Sequence, residues 1–236
     1  MKALLIPVKD LRNAKQRLAA ELSQADRTAL AEAMFDDFCA RIAPIRCVDS
    51  IIVITNYEPA IERANSLGWD VLRETTQESE SASVDAASRI CAARGVTALA
   101  RVPIDLPLVA AADIEQIFAA ARPEPSAVIV PSRSGRGTNA LLRTPPALFP
   151  SRFGPDSFSK HSREAELCGA HLTVLRNEHL ELDVDDWDDL QVLATRSDLP
   201  SATRTWLERA GLRPAALAAR SAAYTVRSNS GDAREE

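Results

Sequence analysis

Three carboxylates lie where apolar stretches of the sequence end. Asp105 directly follows the apolar run at residues 98–104, and Asp183 and Asp185 are separated by one apolar residue. Alternate residues of an extended segment face the same side, so the last two carboxylates are expected to point together. Divalent cations that carry nucleotide phosphates are held by one or two such carboxylates together with phosphate oxygens. Two plainer interpretations stay open: a turn or capping role for Asp105, and a solvated acidic helix start at residues 181–190.

A basic loop follows the first apolar run of the chain. The run at residues 2–8 leads into Lys9, Lys15 and Arg17, and two of the four lysines of the sequence lie there. Cations and backbone N–H groups converge where such a loop enters a helix, which suits a polyphosphate. A solvated basic loop without a ligand is the alternative interpretation.

Two further segments have the composition of a substrate pocket. Residues 132–141 are rich in Gly, Ser and Arg and end in a strand, whereas residues 153–161 form a turn that opens a helix. Ser157 is predicted at or near the N-cap of that helix, where free backbone N–H groups suit an anion. The alternatives are a flexible surface loop for the first segment and a plain capped helix for the second.

Short apolar runs alternate with helical patterns along most of the chain. This alternation predicts right-handed βαβ crossovers and a mostly parallel sheet. Ligands of such sheets bind outside the carboxyl ends of the strands, where the carboxylates and the basic loop are expected. The predicted strands cover 2–8, 50–55, 69–73, 98–104, 127–130, 140–143 and 171–176, and the predicted helices cover 24–42, 58–67, 84–94, 114–121, 157–168 and 185–196.

The composition excludes several classes of protein. With 236 residues, 46% apolar and 26% charged, the chain has globular composition and needs no disulfide framework. The net charge of −5 argues against binding to nucleic acid. No run approaches the roughly 20 apolar residues that span a bilayer, and the apolar start is too short for a signal peptide. The four cysteines form no C-x-x-C pair, which predicts buried reduced thiols and a cytoplasmic protein.

Five short motifs occur in a fixed order along residues 1–196. Together they resemble the 2-phospho-L-lactate guanylyltransferase family of the MobA-like nucleotidyltransferases, and the third and fourth are the most specific. The resemblance implies an α/β fold: a three-layer αβα sandwich around a mostly parallel sheet, the Rossmann-like fold of the nucleotide-diphospho-sugar transferases. The motifs are Pro7–Lys9 with Ala14–Leu18, Asp105–Leu108, Gly137–Leu141, Phe153–Phe158 with His161, and Leu182–Asp185 with Asp188–Leu190.

The resemblance also implies an activity. A phosphorylated three-carbon acid (2-phospho-L-lactate, phosphoenolpyruvate or 3-phosphoglycerate) would attack the α-phosphorus of GTP and release pyrophosphate, a step in the biosynthesis of coenzyme F-420. Mg²⁺ would be the cofactor, and GTP and the acid would be the partners, with no nucleic acid and no membrane. Two alternatives stay open: another MobA-like nucleotidyltransferase with a different nucleotide or acceptor, and a catalytically silent nucleotide-binding protein.

Matching the motifs position by position implies a role for each site residue. Lys15, Asp105 and Asp183 would be catalytic, and Mg²⁺ would be held by Asp105, Asp183 and Asp185. The nucleotide would contact Lys9, Lys15, Arg17 and Asp85. The acceptor would be bound by Thr138, Asn139, Gly154, Ser157 and His161. The segment Ser83–Ala87 departs from the Gly-Leu-Asn-Ala-Ala pattern usual in the family, because Ser replaces Gly and Asp85 replaces Asn.

The pattern of strands and helices changes after residue 196. We therefore expect a nucleotidyltransferase domain over residues 1–196 and a C-terminal appendage over residues 197–236. The appendage is expected to contain one short helix at 203–210 and then a polar, disordered tail. The sequence leaves open whether the protein forms a homodimer.

Overall fold

Seven strands form one sheet through the centre of the computed structural model, which describes residues 1–212. Their order across the sheet is 3-2-1-4-6-5-7, and every neighbouring pair is parallel except the two that involve the sixth strand. The mostly parallel sheet is therefore confirmed. The strands are β1 (Lys2–Pro7), β2 (Ser50–Thr55), β3 (Asp70–Arg73), β4 (Ala98–Arg101), β5 (Ser126–Pro131), β6 (Thr138–Thr144) and β7 (His171–Val174).

Helices cover both faces of this sheet, which confirms the three-layer αβα sandwich. Apolar side chains of α1, α2 and α4 pack on one face, and those of α3 and α5 pack on the other. The α-helices within residues 1–212 are α1 (Gln24–Ile42), α2 (Glu58–Ser66), α3 (Glu80–Ala93), α4 (Ala111–Ala119), α5 (Ser157–Leu167), α6 (Glu178–Glu181), α7 (Trp187–Ala194) and α8 (Ser201–Arg209).

The central strand β1 shows why the strands read as continuous apolar runs. Its successive side chains point to opposite faces, and both faces are covered by helices. Leu4 and Ile6 pack in the core under α1, whereas Ala3 and Leu5 pack in the core under α3. No position of the strand interior meets water, so the run is apolar throughout.

The direction of β6 places its first residues at the functional edge of the sheet. The loop of residues 132–137 joins β5 to β6, and six residues are too few for a parallel crossover, which needs a dozen or more. Strand β6 therefore returns antiparallel, with Thr138 opposite Pro131 and Leu141 opposite Arg101. The amino end of β6 thus lies beside the carboxyl ends of β4 and β5.

The chain after residue 196 adds a helix to the same packed unit. Helix α8 buries Trp206 and Leu207 in a cluster shared with α1 and α7. The carboxylate of Asp37 on α1 accepts hydrogen bonds from the first-turn N–H groups of Ala202 and Thr203, at 3.0 and 2.7 Å. One short helix was expected here; the predicted tail lies in residues 213–236, outside the described residues.

Two smaller expectations concern membranes and cysteines. No helix within residues 1–212 combines the length and the apolar character needed to cross a membrane. All four cysteines are free thiols, and Cys39 and Cys91 are buried as predicted. Cys168 is exposed, which corrects the prediction for that residue, because it lies at the solvent-facing end of α5 next to Gly169.

Candidate active site

A cleft with two lobes opens at the edge of the sheet where β1 and β4 end. The first lobe, of about 430 Å³, is lined by the loop after β1 and includes Lys9 and Lys15. The second lobe, of about 510 Å³, is lined by the start of β6, by residues 153–157 and by Asp183. The two lobes share one wall, made of Arg17, Glu80, Arg101, Pro103, Asp105 and Asp185.

Lys15 is held at the junction of the lobes by an unusual backbone conformation. It lies between two short 3-10 turns and has φ +55°, in the left-handed region that non-glycine residues rarely adopt. Its side chain is only 9% exposed, and Nζ lies 3.4 Å from Asp105 Oδ2 and 3.6 Å from Asp185 Oδ1. The strained backbone thus directs a lysine between two carboxylates, as is common at functional sites.

Two other basic residues of the loop, Lys9 and Arg17, also line the first lobe. Lys9 is exposed. Arg17 is 72% exposed and places Nη1 3.3 Å from Asp185 Oδ2. The loop therefore presents two exposed cations and one nearly buried cation, Lys15, to the first lobe.

The three carboxylates are brought together by backbone and amide hydrogen bonds. The N–H of Val184 donates to the carbonyl of Asp105 at 3.2 Å, which ties the segment after α6 to the turn after β4. The amide of Asn139 donates to Asp183 Oδ1 at 3.2 Å and to the carbonyl of Leu180 at 3.0 Å. Asn139 was predicted to bind the acceptor, and the structure shows its Nδ2 positioning Asp183.

The carboxylate cluster carries an excess of negative charge. Burial, together with the charges of Asp105 and Asp185, raises the pKa of Asp183 to about 6. The pKa of Asp185 is also raised, by burial and by Asp105, against the opposing effect of Lys15 and Arg17. Asp105 Oδ1 is buried and has no hydrogen-bond partner among residues 1–212.

These observations fit a divalent cation that arrives with a nucleotide. Within residues 1–212, no three His, Cys, Asp or Glu side chains are close enough to form a complete metal site by themselves. Mg²⁺ needs less than that, because it is usually held by one or two carboxylates together with phosphate oxygens and water. The orphaned oxygen of Asp105 and the mutual repulsion around Asp183 are both relieved by a cation.

The second lobe contains the predicted acceptor residues Thr138, Gly154 and Ser157. Gly154 has φ +113°, a conformation that requires glycine, and Ser157 is the first residue of α5. One part of the prediction is wrong: the Ser157 N–H is not free, since it donates to the carbonyl of Gly154 at 3.1 Å. The next N–H, of Phe158, donates to the carbonyl of Arg136 at 3.0 Å. Of the predicted acceptor residues in this region, Thr138 and Ser157 therefore offer their hydroxyl groups as donors.

Comparison with known proteins agrees with this geometry. The model of the family described as "Guanylyl transferase CofC like" matches residues 1–216. This chain belongs to that family. The phosphoenolpyruvate guanylyltransferase of Roseiflexus castenholzii is 35% identical over 212 residues, which cover 89% of this chain and 97% of the relative. The family resemblance seen in the five motifs is thus confirmed.

Relatives in the guanylyltransferase family differ in the acceptor that they are named for. The 2-phospho-L-lactate guanylyltransferase of Methanothermobacter thermautotrophicus is 34% identical and covers 79% of this chain and 81% of its own. The 3-phospho-D-glycerate guanylyltransferase of Colwellia psychrerythraea is 32% identical and covers 82% and 91%. Family membership therefore does not identify the acceptor.

A solved structure supports the fold assignment. A crystal structure from Desulfovibrio desulfuricans G20, provisionally described as a nucleotide-diphospho-sugar transferase, superposes with a TM-score of 0.72. The two chains are 16% identical, and the match covers 89% of this chain and 96% of that one. At this identity the likeness concerns the fold alone.

Two residues assigned to ligands in this family member lie instead behind the site. His161 is completely buried, and its Nε2 accepts a hydrogen bond from the Arg152 N–H at 2.8 Å. Burial lowers the pKa of His161 to about 3, so the ring is neutral and its Nδ1–H donates to Thr138 Oγ1 at 3.0 Å. The role predicted for His161 is corrected: it orients the hydroxyl of Thr138, which keeps its own proton for another partner.

Asp85 is the second of these residues. Its carboxylate accepts hydrogen bonds from the Ser151 N–H at 3.0 and 3.1 Å and lies 3.4 Å from Nη1 of the buried Arg143. Asp85 lines neither lobe of the cleft. The predicted nucleotide contact is therefore wrong for this structure, in which Asp85 fixes the turn before residues 153–157.

Sequence reasoning missed two charged residues in the shared wall, Arg101 and Glu80. Arg101 ends β4 with its side chain 6% exposed, and its guanidinium pairs with the carboxylate of Glu80 at the start of α3. Burial lowers the pKa of Arg101 to about 10, so the side chain remains a cation at neutral pH. The available signal was a lone arginine in the apolar segment Ala98–Val102, four residues before Asp105.

Proposed function

We propose that this chain transfers GMP from GTP to a phosphorylated three-carbon acid and releases pyrophosphate, as a step in the biosynthesis of coenzyme F-420. The proposal is carried by one observation: Lys15 lies between Asp105 and Asp185 at the junction of the two lobes. Such a junction is where two polyanionic substrates must meet, and it combines a buried cation with the ligands of a divalent cation.

The chemistry asks little covalent work of the protein. A phosphate oxygen of the acceptor forms a bond to the α-phosphorus of GTP, and the bond from that phosphorus to the oxygen bridging to the β-phosphate breaks. The electron pair leaves with pyrophosphate, and no proton transfer is needed because the acceptor phosphate is already an anion at neutral pH. Positioning and charge stabilisation supply the rate, as in other transfers of this type.

The basic loop supplies the charge for GTP. Lys15 is fixed by its backbone and its two carboxylate neighbours, so its ammonium is in place before the nucleotide arrives. Lys9 and Arg17 are exposed at the mouth of the first lobe, where they can bind the outer phosphates. Mg²⁺ would be held by one or two of the carboxylates of Asp105, Asp183 and Asp185 together with phosphate oxygens, and it would supply further positive charge against those oxygens.

The second lobe supplies the contacts for the acceptor. The hydroxyls of Thr138 and Ser157 are short donors of the kind that bind a compact anion, and Gly154 permits close approach of the backbone.

The four cysteines are free thiols, which fits a reducing cytoplasm as the compartment of the reaction.

Release of pyrophosphate tests the proposal directly. We expect release from GTP, but not from ATP or CTP, in the presence of Mg²⁺ and one of the three acids named above, and none with EDTA. Lys15→Met should reduce turnover by roughly 10²-fold or more, the scale of a lost transition-state charge partner. The matched control is Lys2→Met, because Lys2 is an exposed lysine at the opposite end of β1 and should leave turnover unchanged. Equal use of ATP or CTP would contradict the proposal.

A further inference from the structure

Glu80 is a carboxylate in the wall of a cleft that the proposed function fills with polyanions. It is the first residue of α3, directly after the N-cap residue Ser79, and its side chain is 26% exposed. It lines both lobes. A negative group in this position weakens the binding of anionic oxygens, but it can accept a hydrogen bond from a neutral donor.

The protein holds Glu80 firmly in place through Arg101. The guanidinium of Arg101 donates to Glu80 Oε1 and to the carbonyl of Asn139 at 3.1 Å. The same guanidinium lies over the ring of Phe153, 4.2 Å from its centroid. Arg101 offsets the charge of Glu80, but it is the only donor to that carboxylate within residues 1–212, and Oε2 keeps its capacity to accept a hydrogen bond.

The first turn of α3 is built against the acceptor side of the cleft. The hydroxyl of Ser81, the next residue after Glu80, accepts a hydrogen bond from the Phe153 N–H at 2.9 Å. Phe153 directly precedes Gly154, and its ring packs against His161, which in turn holds Thr138. Glu80 is thus joined by short contacts to the loop assigned to the acceptor.

The named acceptors of the family differ in one group that a carboxylate can recognise. 3-Phosphoglycerate carries a free hydroxyl beside its carboxylate, whereas phosphoenolpyruvate and 2-phospholactate carry no free hydroxyl. A carboxylate oxygen accepts a hydrogen bond from that hydroxyl, and it has nothing to accept from the other two acids. Sites built to bind a substrate hydroxyl reject analogues that lack it, because the polar group of the site then stays unpaired.

We propose that Glu80, held by Arg101, selects an acceptor that carries a free hydroxyl, so that the substrate of this chain is a phosphorylated hydroxy acid of the 3-phosphoglycerate type. This inference rests on the proposed function. One hydrogen bond to a charged group accounts for a preference of about 10- to 150-fold in kcat/KM.

The acceptor preference of the purified chain is the first test. Pyrophosphate release from GTP and Mg²⁺ is measured with 3-phosphoglycerate, phosphoenolpyruvate and 2-phospholactate, and we expect the first to be preferred at least about 10-fold. A chain that prefers either of the other acids would overturn the inference and leave the proposed function intact. A chain that releases pyrophosphate with none of them would refute both.

The second test replaces the free hydrogen-bond acceptor of Glu80 with a hydrogen-bond donor. In Glu80→Gln the amide oxygen can keep its contact with Arg101 while the amide N–H₂ replaces the free acceptor atom, so the preference for 3-phosphoglycerate should fall about 10-fold or more. Glu78→Gln, at an exposed glutamate of the same segment, is the matched control and should keep the preference. An unchanged preference in Glu80→Gln would overturn the inference, and a rise only in the KM for GTP would in addition assign Glu80 to the nucleotide. If the variant does not fold, the ranking by the unaltered chain still decides.

Discussion

Asp183→Asn should stabilise the folded protein in the absence of Mg²⁺ while it removes activity. Burial and the charges of Asp105 and Asp185 raise the pKa of Asp183 from 3.8 to about 6, so at neutral pH the fold holds a carboxylate in a site that disfavours its charge. Asparagine has the same shape and no charge, and its oxygen can still accept the hydrogen bond from Asn139. Removing the charge therefore removes a destabilising interaction.

The magnitude follows from the difference between the two pKa values. One pKa unit corresponds to about 1.4 kcal/mol, so the change from 3.8 to about 6 bounds the gain at about 3 kcal/mol. The carboxylate keeps part of its hydration and one amide hydrogen bond, which lowers the expected gain to about 1–2 kcal/mol. For a chain of this length that gain corresponds to a rise in Tm of roughly 2–8 °C.

The sign of the pH dependence is fixed by proton binding. Between pH 4 and pH 6 the folded state binds more protons at Asp183 than the unfolded state, so the stability of the unaltered protein falls as the pH rises through this range. The advantage of Asp183→Asn should therefore be complete above about pH 7 and shrink toward zero near pH 4.

Thermal unfolding with EDTA at pH 8 and at pH 4 measures this effect, and pyrophosphate release with Mg²⁺ should fall by roughly 10²-fold or more in the variant. Asp188→Asn is the matched control. Asp188 is an exposed aspartate in the first turn of α7, where the helix dipole favours its charge, so its removal should give no gain. A lower Tm for Asp183→Asn at pH 8 would refute the reasoning, because it would mean that the cations of the cleft stabilise this carboxylate more than burial disfavours it.

Three further predictions test the pocket and its support. Ser157→Ala and Thr138→Ala should each raise the KM of the acid about 10- to 150-fold, with little change for GTP; an equal rise for GTP would move this lobe to the nucleotide. His161→Leu leaves the Arg152 N–H without its hydrogen-bond partner, so urea unfolding should show a free energy of unfolding that is lower by about 1–3 kcal/mol. An unchanged midpoint would contradict the structural role of His161. Asp37→Ala removes the cap of α8 and should cost about 0.5–2 kcal/mol by the same assay, with turnover retained; unaltered stability would show that the cap contributes nothing.

Much of the fold could be predicted from local patterns in the sequence. Apolar runs separated by helical periodicity predicted the parallel strands, because burial on both faces favours apolar residues throughout a strand such as β1, whereas the three layers were implied by the family resemblance. The direction of β6 was missed, although the signal was present. A connection of six residues at 132–137 cannot contain a crossover helix, so it requires an antiparallel return.

The site residues that could be predicted are those whose location follows from their place in the sequence after a strand. Asp105 lies in the turn after β4 and Lys15 in the loop after β1, so the shared edge of the sheet brings them close together. The roles of Asp85 and His161 were not predictable in this way, because they depend on which atoms the fold places around each side chain. A buried histidine and a ligand histidine have the same sequence signature; only the N–H of Arg152, 2.8 Å from Nε2, decides between them.

The unliganded cleft is arranged in a way that only a charged ligand completes. Lys15 adopts a backbone conformation that costs about 1–2 kcal/mol, Asp105 buries an oxygen without a partner, and Asp183 is ionised against its surroundings at neutral pH. The last two features disfavour the empty cleft, and both would be relieved by a divalent cation that arrives with phosphate oxygens. Under the proposed function, that free energy would add to the binding of the nucleotide with its cation and not to that of the nucleotide alone. The proposed function therefore predicts that GTP affinity depends tightly on the cation, a dependence set by residues that are distant in sequence and meet at the edge of the sheet.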